Sequence, residues 1–228
     1  MVDEASYLSE DEIQSLINSC KNALERMFLL TLVYTGARIS EIVGLVNDNN
    51  VREDAFTPGN INYSRKIITL RNLKAKKFRR LCKECAFKMP DKAIKCICGS
   101  TTIETIKLNK RWKIVNMPDE FLSEIKDYIS KNNIKQDDAI FSFSRINGYY
   151  IIRNISKRAG IERIGKHWVH PHTMRHSYVM RGINRDVKIS YIQKQVGHST
   201  TASLSSYMSL KKKDIEREGK KMWESIQE

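Results

Sequence analysis

Residues 170–207, HPHTMRHSYVMRGINRDVKISYIQKQVGHSTTASLSSY, constrain this chain more than any other stretch. Two histidine-containing motifs, an arginine and a tyrosine fall within fewer than forty residues. The segments between them have helical spacing, and that spacing breaks at Gly197-His198. A hydrolytic site usually shows paired carboxylates, or a serine or cysteine nucleophile beside its base. Here cations and hydrogen-bond donors surround a phenol, a set of groups suited to holding a phosphate.

The charge balance points the same way. Forty basic residues against 26 acidic ones give a formal net charge of +14, more than solubility requires and fitted to a polyanion, of which nucleic acid is the commonest. A chain of 228 residues can bury a full core as one domain, or as a domain with a small module. The longest apolar stretch, near Met27–Tyr34, is far too short to span a membrane. The opening MVDEASYLSEDE lacks the basic-then-apolar order of a secretion signal, so the expectation is a cytoplasmic protein with no membrane partner.

Along the chain, Ser9 to Glu12 has the form of a capping box, followed by an apolar face of Ile13, Leu16, Ile17 and Cys20. Cys20 on that stripe is a small apolar filler. A second helix, through Leu24, Met27, Phe28 and Leu32, ends at Gly36. In TGARISEIVGL, residues 35–45, Ser40 and Glu41 suit a helix start, which puts Arg38 just before or in its first turn. A cation there opposes the helix dipole unless it holds an anion. Residues 47–65 read as loop, and Lys66–Leu73 as a strand. From Arg71 to Lys83 seven of thirteen residues are basic and none is acidic, as in a hairpin that tracks phosphates.

Inside that hairpin lie Cys82, Cys85, Cys96 and Cys98. Four thiolates in two close pairs can surround one tetrahedral zinc, and an insert of about twenty residues has no core of its own to hold it together. The second pair is C-x-C, where a ribbon knuckle normally has C-x-x-C. With four cysteine ligands such a zinc is structural and keeps no open catalytic position. Thr101–Leu108 and Arg111–Val115 alternate as returning strands. Pro118-Asp119-Glu120 starts a helix with Phe121, Leu122, Ile125 and Ile129 as its apolar face, Ile140–Phe143 is a short strand or loop, and a further helix runs from about Gly148 to Ala159.

The set TGAR38ISEIVGL, a lysine in a basic β-hairpin, PH172TMR175HS, VGH198S and Tyr207 resembles the signature of the tyrosine recombinases, the phage-integrase and Xer-type enzymes. The spacing from His198 to Tyr207 is the nine residues typical of that family, and the resemblance covers roughly residues 8–210. It implies an α+β fold, a mainly α-helical catalytic domain over residues 1–228 with a small antiparallel sheet at one edge. The cysteine knuckle, residues 80–101, would be a zinc-ribbon-like insert of the kind seen in archaeal-type members. The expectation is that the family's N-terminal core-binding domain is absent, the chain being either a naturally minimal enzyme or a fragment of a longer one.

By the same resemblance Arg38 and Arg175 clamp the scissile phosphate, and His172 is a candidate general base or proton-sharing group. His198 donates a hydrogen bond, and Tyr207 is the nucleophile that forms a 3′-phosphotyrosyl link. A hairpin lysine protonates the leaving 5′-oxygen. Lys74 occupies the matching place, with Lys76, Lys77 and Lys110 as alternatives, while His170 and His176 are local packing or hydrogen-bonding groups. The implied activity is site-specific DNA recombination or integration on double-stranded DNA, without a catalytic cofactor, in a homo-tetramer coupled through the C-terminal helix. The alternatives are a type IB topoisomerase-like nicking-closing enzyme and a non-catalytic zinc-ribbon DNA-binding protein.

Overall fold

The computed structural model describes residues 7–48, 52–73 and 78–197. His198, Tyr207, Lys74, Lys76, Lys77 and the C-terminal segment therefore lie outside the described residues.

The first helix, α1 (Glu10–Asn18), begins where Ser9 accepts from the Glu12 N–H and the Glu12 carboxylate accepts from the Ser9 N–H at 2.7 Å. Cys20 lies beyond it, half-buried, and burial pushes its thiol up to about 11, too high to be reactive. Helix α2 (Ala23–Thr35) is apolar on nearly all sides and forms the axis of the domain. Around it pack α4 (Asp119–Lys131), α5 (Arg145–Arg158) and α6 (Pro171–Asn184), burying Phe28, Leu32, Phe121, Ile125, Phe141, Ile152 and Met174. Phe28 meets Phe141 and Phe143 edge-on, with ring centroids 5.4 and 4.9 Å apart. Helix α5 starts about a turn earlier than the apolar spacing predicts, because Ser144 caps it through the Asn147 N–H. Ile140–Phe143 is loop. Helix α7 (Ile189–Val196) packs on α6 through Val179, Ile192 and Val196.

Short α3 (Ile39–Val43) leads into β1 (Leu45–Val46), which pairs antiparallel with β2 (Arg52–Glu53) within the stretch expected to be loop. After a 3-10 turn at Pro58–Asn60, β3 (Ile61–Asn62), β4 (Ile67–Arg71) and β8 (Trp112–Asn116) form an antiparallel sheet with β4 in the centre. Between β4 and β8 sits a separate sheet of β5 (Phe78–Cys82), β6 (Lys88–Met89) and β7 (Ile103–Lys107), ordered β6-β5-β7. Strand pairing thus carries the insert from Phe78 to Lys107, beyond the bounds drawn from its cysteines, and β7 returns to β5 while β8 returns to β4. The last strands, β9 (Arg163–Ile164) and β10 (His167–Trp168), make a small hairpin in front of α6. Among the described residues no helix is long and apolar enough to cross a membrane.

Gly36 closes α2 with φ +55°, and a Cβ there would stand 2.6 Å from the Tyr178 ring of α6. Both the left-handed backbone and the close approach demand glycine. Gly36→Ala is expected to lower stability by about 2 kcal/mol, read as a fall in the urea midpoint with an unchanged slope.

Candidate active site

The site is assembled where the end of α2, the start of α3, strand β8 and helix α6 converge. His170 caps α6: its Nδ1 accepts from the His172 N–H at 3.1 Å, and its own N–H donates to Thr173 Oγ1. Pro171 occupies the first helical position, where a missing N–H costs nothing. His172 and Arg175 are then three residues apart, on one face. Ser177 pins the same helix to the N-terminal segment by accepting from the Leu8 N–H at 2.8 Å.

Arg175 is only 6% exposed. Its guanidinium donates to the Gly36 carbonyl at 2.8 Å and to the Val196 carbonyl. One side chain thereby ties the TGAR turn to the end of α7, immediately before His198 in the sequence. Gly197 caps α7 in the left-handed region (φ +66°), where a Cβ would come within 2.9 Å of the Asn72 side chain at the end of β4. Gly197 is therefore seated against the end of β4.

Arg38, 8% exposed, is the residue at which α3 begins. Glu41 accepts from the Arg38 N–H at 3.0 Å through Oε2 and from its guanidinium at 2.8 Å through Oε1. The carboxylate also accepts from Lys113 Nζ on β8, at 2.7 Å through Oε2. Burial alone would raise the Glu41 carboxyl, but Lys113 and Arg38 together hold it below the ordinary value, so it stays ionised.

His172 is pushed down to about 4 by burial, then by His170, Arg175, His176 and Arg38. Burial, reinforced by neighbouring histidines, also lowers His170 and His176. At neutral pH the three imidazoles are uncharged, and His172 can accept a proton.

Arg38 and His172 open onto one groove of about 730 Å³, lined also by Leu73, Arg145, Tyr149, Tyr150 and Arg153. Leu73 directly precedes Lys74. Trp168 has both Arg153 and Arg163 over its ring, their guanidinium carbons 4.5 and 3.9 Å from its centre. Lys110, an alternative for the hairpin lysine, is instead paired with Asp54 at 2.6 Å. Sequence spacing did not single out Lys113 or the α5 residues. The available signal was a lysine in a strand whose alternation turns Lys113 and Val115 inward, leaving Trp112 and Ile114 about half exposed.

In the insert, the four cysteine sulfurs lie within 4.8 Å of one another. Two pairs, Cys82–Cys98 and Cys85–Cys96, stand 3.6 and 3.5 Å apart. Those separations exceed a disulfide bond and are close to the edge, about 3.8 Å, of a tetrahedron with zinc–sulfur bonds near 2.3 Å. The residue after each pair, Ala86 or Gly99, has positive φ and returns its N–H to the first cysteine's carbonyl. C-x-C therefore closes a turn one residue shorter than C-x-x-C, with glycine taking φ +91°. The donor set and geometry fit a structural zinc.

The model of the phage integrase family matches residues 73–214, more than half of the chain. The tyrosine recombinase XerA of Saccharolobus solfataricus is 22% identical over 216 residues, covering 94% of this chain and 56% of its own length. This chain thus spans little more than half of that relative. Among solved structures, XerH site-specific recombinase bound to its difH substrate superposes with a TM-score of 0.63 at 14% identity, over 96% of this chain and 54% of that one. The catalytic domain of bacteriophage HP1 integrase gives 0.56 at 18% identity, with 96% of both chains covered. The fold is that of tyrosine recombinase catalytic domains, and the chain belongs to the phage integrase family.

Proposed function

We propose that the chain is the catalytic part of a site-specific DNA recombinase that cuts and rejoins strands through a 3′-phosphotyrosyl intermediate. The observation that carries this is the meeting of buried Arg38 and neutral His172 on one groove, with buried Arg175 bonded to the turn just before Arg38, within a strongly basic chain. Arg38 and Arg175 hold the non-bridging oxygens of the scissile phosphate and stabilise the charge of its pentacoordinate transition state. The Tyr207 phenol attacks phosphorus, the 5′-oxygen leaves with a proton from Lys74, and the phosphotyrosyl bond conserves the energy for rejoining. His172, uncharged, accepts the phenolic proton, and His198 donates to a phosphate oxygen. Arg145, Tyr149, Tyr150 and Arg153 supply cations and stacking faces for the flanking duplex.

Cys82, Cys85, Cys96 and Cys98 hold a structural zinc that braces the hairpin, a role apart from the chemistry. A homo-tetramer on DNA, coupled through the C-terminal segment, and action in the cytoplasm complete the proposal.

The test is a pool of nicked suicide duplexes with randomised centres, from which covalent protein–DNA adducts are trapped. Wild type is expected to form an adduct that Tyr207→Phe abolishes and Arg175→Ala slows by at least about 100-fold. DNA binding without any adduct would instead mark a binding module, and relaxation without strand exchange a topoisomerase.

The acid limb of the rate profile follows from His172. Its proton acceptor is available above about pH 4 and is lost below it, so between pH 5.5 and 7.5 the adduct rate should show no inflection near 6.5 from this group.

Zinc content separates the insert from the site. One zinc per chain is expected by elemental analysis, and Cys98→Ser should lower it and open the insert to protease while DNA binding by the body persists.

A further inference from the structure

Among the described residues, Lys113 is a buried cation that the proposed chemistry leaves unused. It lies on β8 opposite Leu70 of β4 and is 4% exposed, so no DNA strand reaches it. An ion pair in such a place is costly. Burying two charges often gains nothing over a well-packed apolar pair, and a methionine would suit a site beside Leu70. What Lys113 does there is visible in the Glu41 carboxylate. Oε1 binds the Arg38 guanidinium, while Oε2 is occupied by Lys113 Nζ and the Arg38 N–H.

Resting on the recombinase reading, we propose that Lys113 is a positioning residue of the phosphate site: it takes up one oxygen of Glu41, and so limits how far that carboxylate neutralises Arg38. The local charge makes the point. Arg38, Arg175 and Lys113 against Glu41 leave two positive charges facing the phosphate. Without Lys113 one remains, and Glu41 is free to turn both oxygens to the Arg38 fork, closing the face that a phosphate needs.

The charge on Lys113 is itself conditional. Burial lowers its ammonium to about 8, with Arg175 and Arg38 acting in the same direction and Glu41 opposing them. These are the charged groups that face it, Glu41 from α3, Arg38 from the cap of α3 and Arg175 from α6, while Leu70 faces it from β4. The folded value lies below the ordinary one, so the charge is present below about pH 8 and is lost above it.

The experiment has two readouts, single-turnover adduct formation on a duplex recovered from the pool, and binding of inorganic orthophosphate to the full chain followed through arginine Nε–H resonances. Lys113→Met is expected to slow adduct formation about 30-fold and to weaken orthophosphate binding about fivefold. Lys113→Arg should recover most of both. In wild type the adduct rate should decline above about pH 8, and Lys113→Arg should lack that decline. Glu41→Gln/Lys113→Met, which removes the carboxylate as well, should regain orthophosphate affinity because nothing then neutralises Arg38.

If Lys113→Met leaves both readouts within about twofold of wild type and lowers only the thermal midpoint, Lys113 is a core ion pair and the inference is overturned. Should that variant not fold, failure of the double variant to bind orthophosphate overturns it equally. If wild type forms no adduct, the recombinase reading fails, and the orthophosphate titrations alone decide for or against Lys113.

Discussion

The buried carboxylate of Glu41 is the constraint around which this structure is arranged. A phosphate site needs cations shielded from water, where their charge is not screened, but cations so placed repel one another and lose their hydration. Glu41 resolves the conflict with one group bonded to the Arg38 guanidinium, to the Arg38 N–H that caps α3 and to Lys113 on β8. Each bond fixes an element. The start of α3 follows from the capping interaction, and the inward face of β8 from the need to bring a lysine to the carboxylate. On β8, Lys113 and Val115 face in while Trp112 and Ile114 stay about half exposed.

Arg175 does the complementary work across longer distances. It uses main-chain carbonyls in place of a carboxylate, so that its charge is oriented but not cancelled. Carbonyls of the α2–α3 turn and the end of α7 lie 139 and 21 residues from it. A side chain with fewer donors in a fixed plane could not span both. The neutral histidines of α6 belong to the same economy, because protonated imidazoles beside two guanidiniums would add repulsion where the backbone already supplies the orientation.

The cysteine insert obeys a different rule. Its buried cluster consists of Cys82, Met89 and Cys96, with Ala93 and Ile103 against it, too little apolar area to hold three strands together. Four converging sulfurs form a donor set for a metal that would supply what packing does not. The body, by contrast, is held by the aromatic and aliphatic shell about α2.

Much of this was legible in the sequence because it is local. Capping at Ser9, the ends of α2 and α7 at Gly36 and Gly197, the Cys knuckles and the three-residue spacing of His172 and Arg175 all depend on groups within a turn of one another, and backbone geometry alone selects them. Helix α5 began a turn early because Ser144, not the apolar spacing, sets its start. Of the insert's strands β7 could be anticipated, but its partner β5 could not, since alternation says nothing about which edge a strand finds. Lys113 shows the limit most plainly. Strand alternation turns it inward, but only the register Leu70 to Lys113, which brings it to Glu41, makes it part of the site. The sequence by itself determined the residues that can bind a phosphate and the turns that present them. Tertiary structure alone decided which charges face one another in the dark of the core, because pairing across 72 residues is set by packing and desolvation, which no local pattern encodes.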